Sequence, residues 1–147
     1  MDGTNTVGLQ VGMSQNIARH TVGALGGSPT INGAGQGIVS GWANNSTLIT
    51  NGWTAAAAQR LNAGDVLTAV GCFSVNPVTK QSTGQLMQVV VQAPASSDAA
   101  GNLTVLVSPA IITAGPFQNV SASPTNGGAI VVNGTAAIIA GETNTVK

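Results

Sequence analysis

Leu61-Asn-Ala-Gly-Asp-Val-Leu-Thr-Ala-Val70 opens the part of the sequence that decides the fold. It continues with Phe73-Ser-Val-Asn-Pro-Val-Thr-Lys80, with Leu86-Met-Gln-Val-Val-Val91 and with Asp98-Ala-Ala-Gly-Asn-Leu-Thr-Val-Leu-Val107. Short runs rich in Val, Leu and Thr are separated by Gly, Asn and Pro at spacings of about ten residues, which is typical of consecutive antiparallel strands. The sequence therefore predicts an all-β fold, as an antiparallel barrel or sandwich.

Further segments extend this pattern on both sides. Strands are predicted at residues 19–22 and 46–50, and residues 86–91 are apolar enough for a central strand covered on both faces. Pro109 is expected to end the strand before it, because proline cannot donate to a ladder. The other strand-like segments are residues 7–11, 110–112, 120–122, 129–132 and 136–140.

Two stretches depart from the strand pattern. Residues 23–45 are dense in glycine and are predicted to form a long mobile loop, since glycine loses the most backbone freedom on folding. Residues 54–61 contain an alanine run and are the only helix candidate, because alanine favours helix and Thr54 can cap it. So short a helix cannot stand without packing, and we expect at most a helical turn or one short helix leading into a strand.

The chain carries very little charge. Only 5% of its 147 residues are charged, and four acidic residues balance four basic ones. Nucleic acids and charged membrane surfaces are bound through clustered Lys and Arg, so neither is an expected partner. The longest apolar run, residues 136–140, is far shorter than the roughly 20 residues of a membrane helix. Because little net charge opposes it, self-association is expected.

No group of residues predicts a catalytic, cofactor or metal site. His20 is the only histidine, and without a ligand cluster at metal-binding spacing it is expected to be a hydrogen-bonded strand or loop residue. Asp65 stands at a strand start, where a short acceptor holds turn amides. Cys72 is predicted to be a small buried side chain rather than a nucleophile. Gly33-Ala-Gly-Gln-Gly37 lacks the lysine of a phosphate loop and is expected to be a flexible loop.

Aromatic residues are scarce, at 3% of the chain. They are therefore predicted to fill the core, since a stacking platform for sugars or bases would need several together. The residues concerned are Trp42, Trp53, Phe73 and Phe117.

Six ordered strings resemble one family. They are Leu61-Asn-Ala-Gly-Asp-Val-Leu-Thr68, Ser74-Val-Asn-Pro-Val-Thr-Lys-Gln-Ser-Thr-Gly-Gln-Leu86, Ser108-Pro-Ala-Ile-Ile-Thr113, Phe117-Gln-Asn-Val-Ser-Ala-Ser-Pro124, Met13-Ser-Gln-Asn-Ile17 and Arg19-His-Thr-Val-Gly23. Over residues 13–130 the chain resembles the inserted telokin-like (immunoglobulin-like) domain of the major coat proteins of short-tailed bacteriophages of the P-twenty-two type.

The resemblance implies a six-stranded antiparallel barrel or sandwich inserted into a coat fold. Residues 1–18 are then expected to be a coat-derived lead segment, residues 19–140 the insertion domain and residues 141–147 a flexible tail. The chain is too short to hold the shell-forming domains as well, so the insertion domain is expected either as an excised piece or as a separate gene product.

The resemblance also implies a structural role without enzymatic activity. In that family the domain supports coat folding and capsid size control, and a long loop contacts a neighbouring capsomer; by chain position that loop would be residues 26–44. The implied partners are other coat subunits and, during assembly, scaffolding protein. The implied location is the capsid exterior of a virion assembled in the cytoplasm of a bacterial host. The low charge departs from the family and argues against salt-bridged contacts between subunits.

Two other functional classes stay open. A β-sandwich binding module, of the adhesin or carbohydrate-binding type, would use Trp42 and Trp53 in loops with both indoles exposed. A hydrolase would use a serine with His20, but no Gly-x-Ser-x-Gly sequence and no carboxylate at an identifiable spacing supports it.

Overall fold

The computed structural model describes residues 19–133 and 143–145, with the side chains of residues 20–133. All regular structure in this part of the chain is β, which confirms the predicted fold class. The predicted strands at residues 7–11 and 136–140 lie outside the described residues. The strands are β1 (Arg19–Thr21), β2 (Gly27–Ile31), β3 (Ser46–Trp53), β4 (Gln59–Leu61), β5 (Val66–Val75), β6 (Ser82–Val91), β7 (Ala95–Ser96), β8 (Leu103–Ser108), β9 (Ile130–Val132) and β10 (Thr143–Thr145).

Six strands form one antiparallel sheet in the order β2-β3-β8-β6-β5-β9. Its two ends meet through a bridge between Thr30 and Ala129 and a hydrogen bond of 2.9 Å from the Ile31 amide to the Gly128 carbonyl. Pro29 has no N–H to extend this contact, which helps to explain why it stays a single bridge rather than a ladder. The sheet is thus a nearly closed barrel.

Alternation along the strands places one side chain in two inside the barrel. In β3 and β8 the residues Leu48, Val105 and Val107 face inward, while Thr47 and Leu106 face outward. The inward positions are filled by aliphatic side chains, and their burial is the main favourable term for folding. The largest fully buried side chains include Ile31, Leu48, Leu61, Leu67, Val91, Val105, Val107, Ile111 and Val120.

Two small antiparallel pairs lie beside the barrel. One joins β4 to β7, and the other joins β1 to β10, with Arg19 opposite Thr145 and Thr21 opposite Thr143. The second pair is called here the β1–β10 ribbon. Its strands lie side by side, β1 leading into the barrel and β10 leading away from it.

The helix predicted over residues 54–61 is not formed. Residues 55–57 are a bend and residues 59–61 are strand β4, while the strand predicted after the helix is present as β5. The reason is Ser97, whose buried Oγ lies 2.8 Å from the Ala56 carbonyl oxygen and 3.1 Å from that of Thr54. These carbonyls would have to accept amides four residues along in a helix. The tertiary contact therefore overrides the helix propensity of alanine.

The glycine-rich segment is shorter as a loop than predicted. Residues 27–31 are strand β2, so only residues 32–45 connect two strands. The Val39 amide donates to the Ile111 carbonyl at 3.2 Å, which ties this connection to the barrel. At Gly37, which has a φ of +73°, a Cβ would lie 2.9 Å from Ile111 Cδ1. Glycine here permits close packing as well as an unusual backbone angle.

Two further expectations are wrong. Strand β6 is covered on one face only, since Met87 and Val89 are buried while Gln88 is exposed. Three of the four predicted aromatic core residues lie outside the core, because Trp42 and Phe117 stand in connections and Phe73 faces outward from β5. Their exposed fractions are 68% for Trp42, 52% for Phe117 and 36% for Phe73.

Candidate functional site

The most connected polar site is the turn at residues 62–65, between β4 and β5. The Asp65 amide donates to the Asn62 carbonyl at 3.2 Å, which closes the turn. The turn is joined to β6, since the Gly64 amide donates to the Val91 carbonyl and the Val91 amide to the Asp65 carbonyl, both at 2.8 Å. The turn is therefore tied to β6, an interior strand of the barrel sheet.

The Asp65 side chain is completely buried and takes part in three hydrogen bonds. Its Oδ2 accepts the Asn62 amide at 2.8 Å and the Gly23 amide at 3.2 Å. Its Oδ1 lies 2.8 Å from Nε2 of His20. Because a carboxylate only accepts, Nε2 must carry the proton in this bond. The predicted roles of Asp65, as an acceptor for turn amides, and of His20, as a hydrogen-bonded strand residue, are confirmed.

Strand β1 rests on the same turn through two further contacts. The His20 ring covers Gly64, where a Cβ would lie 2.9 Å from Cε1 and 3.0 Å from Nδ1. The side-chain amide of Asn62 donates to the Thr21 carbonyl at 2.7 Å. Gly64 has a φ of +97°, so glycine satisfies both the backbone angle and the close approach of the ring.

A shallow depression of about 100 Å³ lies beside this turn. Among its lining residues, His20 and Asp65 are titratable, and none of the side chains is a hydroxyl or a thiol that could act as a nucleophile. The lining residues are His20, Val22, Gly64, Asp65, Val66, Val132 and Asn133. Within residues 20–133 no three His, Cys, Asp or Glu side chains are grouped to hold a metal ion. The described contacts of the His20–Asp65 pair are with each other and, through Asp65, with the Asn62 and Gly23 amides.

Cys72, Trp53 and residues 33–37 do not join this site. Cys72 is buried in β5, and its burial raises the pKa of the thiol to about 11, so the reactive thiolate is scarce at neutral pH. Trp53 is buried in β3 and donates from Nε1 to Thr50 Oγ1 at 2.8 Å. The binding-module expectation that both indoles are exposed is therefore wrong. Residues 33–37 lie in the turn after β2, outside any strand-to-helix junction.

The charged side chains described over residues 60–98 make hydrogen bonds within the barrel. Arg60 donates to Ser97 Oγ and to the Leu25 carbonyl, both at 3.2 Å. Lys80 Nζ donates to the carbonyls of Pro116, at 2.8 Å, and of Gln118, at 3.3 Å. These roles were not foreseen, because the partners lie more than thirty residues away in the sequence.

Asp98 organises the loop before β8. Its carboxylate accepts hydrogen bonds from the side chain of Asn102, from the Asn102 amide and from the Ala100 amide. The Asn102 side chain is the largest cause that lowers the pKa of Asp98, followed by the Asn102 amide.

The strings on which the family resemblance rests contact one another. Strings 19–23 and 61–68 meet at the 62–65 turn, because Asp65 bonds both His20 and Gly23. Asn119, in string 117–124, bonds two further strings. Its Oδ1 accepts the Ile112 amide at 2.9 Å, and its backbone carbonyl accepts the Val75 amide at 3.0 Å. The strings joined by Asn119 are 74–86, 108–113 and 117–124. The sixth string, 13–17, lies outside the described residues.

No family model matches the chain, and no curated protein matches it. Among solved structures, the chain is similar to the "CUS-3 coat protein I-domain", with 25% identity and a TM-score of 0.46. The match covers 72% of this chain and 95% of that one. No helix in the described residues is long and apolar enough to cross a membrane.

Proposed function

We propose that this chain is a structural, non-enzymatic domain of a bacteriophage major coat protein. It supports the folding of the coat subunit, stabilises the capsid and contributes contacts between capsomers. Its partners are other coat subunits and, during assembly, scaffolding protein. It stands on the exterior of the virion, after assembly in the cytoplasm of a bacterial host. As in the sequence-based division, residues 19–140 are the inserted domain, residues 1–18 a lead segment and residues 141–147 a tail.

The observation that carries this proposal is the mutual contact of the resembling strings. Strings 19–23 and 61–68 are about forty residues apart, yet Asp65 in one receives the His20 bond and the Gly23 amide of the other. Asn119 likewise links two strings that precede its own. The resembling strings thus meet at two places in one barrel, as the proposal that they form a single coat-type domain requires.

The β1–β10 ribbon supports an inserted position in a larger subunit. An inserted domain needs its two connections close together, and Arg19 pairs with Thr145 while Thr21 pairs with Thr143. The barrel can then be added to a host subunit without separating the two chain segments that carry it.

Contacts between such domains can be weak individually and still matter. On a shell each copy is held beside its neighbours, so a contact forms at a high effective concentration without a stable dimer in solution. Residues 32–45 include two large, exposed apolar side chains, Ile38 and Trp42. We propose that this connection reaches a neighbouring capsomer.

Electron microscopy of phage particles from the source of this sequence tests the proposal. An antibody raised against the folded 147-residue chain should decorate the capsid surface at regular positions, while pre-immune serum should not. Particles that are never decorated, or are decorated only on the tail, would contradict the coat assignment. A gene that continues this sequence with long coat segments on both sides would support it independently.

A further inference from the structure

The β1–β10 ribbon lies outside the six-stranded barrel sheet and joins it at a short segment. Val22 is buried, and a Cβ on Gly23 would overlap the Arg60 carbonyl and Leu61 Cα. The path of the chain is therefore fixed from Val22 onward. Thr21, immediately before it, is exposed and belongs to the ribbon. The joint between ribbon and barrel is the step from Thr21 to Val22.

Both hydrogen bonds described from β1 to barrel side chains end on the 62–65 turn. They are the bond between His20 Nε2 and Asp65 Oδ1, at 2.8 Å, and the bond from Asn62 Nδ2 to the Thr21 carbonyl, at 2.7 Å. The His20 ring also lies on Gly64, which has no side chain to keep it away. The 62–65 turn thus holds β1 of the ribbon against the barrel.

We infer that the 62–65 turn is a latch that sets the angle between the β1–β10 ribbon and the barrel. Breaking the His20–Asp65 bond releases the ribbon to move about the Thr21–Val22 joint while the barrel stays folded. This inference takes its biological meaning from the proposed function, in which the ribbon connects the barrel to the coat subunit. The latch then sets the orientation of the barrel on the shell, and His20 is a residue that positions the ribbon.

The barrel does not need His20 to keep the turn. Asp65 still holds the Asn62 and Gly23 amides, and the two backbone bonds with Val91 still join the turn to β6. His20 is 27% exposed in its side chain, whereas Asp65 is completely buried. Loss of the imidazole therefore removes the solvent-exposed partner of the bond. The buried Asp65 carboxylate keeps two donors, the amides of Asn62 and Gly23.

The test uses the full chain with spin labels on Thr145→Cys in the ribbon and Val78→Cys on the barrel. Val78 is 87% exposed, and the buried Cys72 is protected from the label. Pulsed electron spin resonance should give one narrow distance distribution for the labelled parent. His20→Phe keeps a ring over Gly64 but cannot donate, and its distribution should broaden. His20→Gln restores a donor and should recover a narrower distribution than His20→Phe.

Amide hydrogen exchange supplies the second measurement. In His20→Phe the amides of Arg19–Thr21 should exchange roughly tenfold faster, as expected for the loss of one hydrogen bond to a charged group. The amides of Val105 and Val107 should keep their parent rates. A narrow distribution in all three proteins would overturn the inference. So would unfolding of His20→Phe, or faster exchange in the barrel that matches the ribbon. Neither measurement needs a capsid, so failure here is distinct from failure of the coat assignment.

Discussion

Single buried polar side chains carry much of the specificity of this barrel. Thr50, on the inward face of β3, is completely buried and uses its hydroxyl twice: Oγ1 donates to the Leu103 carbonyl at 2.7 Å and accepts from Trp53 Nε1 at 2.8 Å. Because buried polar groups are costly when unpaired, this hydroxyl fixes both the β3–β8 register and the indole.

Replacing Thr50 by valine keeps the shape of the side chain and removes both bonds. The indole N–H of Trp53 is then buried without a partner, so Thr50→Val should destabilise the chain by about 2 kcal/mol. Urea denaturation measures this change in the free energy of unfolding. Thr47→Val, at an exposed position of the same strand, is the control and should change stability by less than about 0.5 kcal/mol. Equal effects at the two positions would show that the buried bonds contribute nothing.

We expect the Asp98 carboxylate to stabilise the folded chain against unfolding in acid. The hydrogen bonds from Asn102 and Ala100 lower the pKa of its carboxyl in the folded chain, so folding favours the ionised form. The stabilisation is present above the unfolded pKa of about 3.9 and is lost as the pH falls through the lowered folded value. Asp98→Asn should therefore reduce the dependence of the melting temperature on pH between about 5 and 3.

The control for this pH effect is Gln118→Asn, which leaves every carboxylate in place and should keep the parent pH profile. The comparison is made by calorimetry at several pH values. An unchanged acid limb in Asp98→Asn would mean that the loop formed by residues 98–102 does not hold the carboxylate in solution.

Among the elements, strands were predictable where their side chains alternate and turns were predictable where glycine or proline follows. β8 is an example, since the buried Leu103, Val105 and Val107 recur at every second position and Pro109 follows the end of the strand. This information is local, because a strand with one buried face must repeat every two residues.

The predictions fail where a residue far away in the sequence determines the local structure. The alanine run at residues 55–58 favours a helix by itself, but Ser97 binds the carbonyls on which the helix would depend. The roles of His20 and Asp65 were each predicted in outline, but no spacing in the sequence pairs two residues 45 positions apart. Trp42 was expected in the core because aromatic residues are scarce in this chain, and scarcity does not tell a loop position from a strand position.

The β5–β6 hairpin gives a prediction that belongs to elements rather than to one site. Lys80, in its turn, has a φ of +57° and reaches across to the Pro116 and Gln118 carbonyls, thereby holding the connection before Asn119. Lys80→Met keeps most of the aliphatic length and removes the donors. Because the ammonium is only partly shielded from water, we expect a loss of less than about 1 kcal/mol in global stability.

The larger effect of Lys80→Met should be local. Amides between residues 114 and 119 should exchange faster, while those of β8 keep their rates, because only the connection loses a bond. Hydrogen exchange followed by mass spectrometry distinguishes these segments. Uniform acceleration over the whole chain would instead mean that the lysine stabilises the barrel as a unit.

At the scale of the whole molecule, the charged side chains of residues 60–98 bond to other parts of the fold. Arg60, Lys80 and Asp98 bond neutral carbonyls, hydroxyls and amides, and the described pairing of Asp65 is with His20. The outward face of the barrel instead offers side chains such as Ile49 and Leu106. An interface formed by such a surface depends on apolar burial and amide hydrogen bonds, with few charges to desolvate.

Ionic strength should therefore change this protein very little. Salt screens charge–charge interactions beyond a Debye length of about 10 Å at 0.1 M, but it leaves apolar contacts and bonds to neutral groups largely intact. Between about 0.05 M and 0.5 M sodium chloride, a range over which that screening length falls markedly, we expect a shift in melting temperature of less than about 2 °C. Self-association, followed by analytical ultracentrifugation, should weaken by less than twofold over the same range.

Ile49→Lys is the matched variant: it places an uncompensated charge on the outward face, so its self-association should be weaker at low salt and partly recover at high salt. Strong salt dependence in the parent chain would show that charges beyond the described residues govern its contacts, and the neutral interface would have to be abandoned.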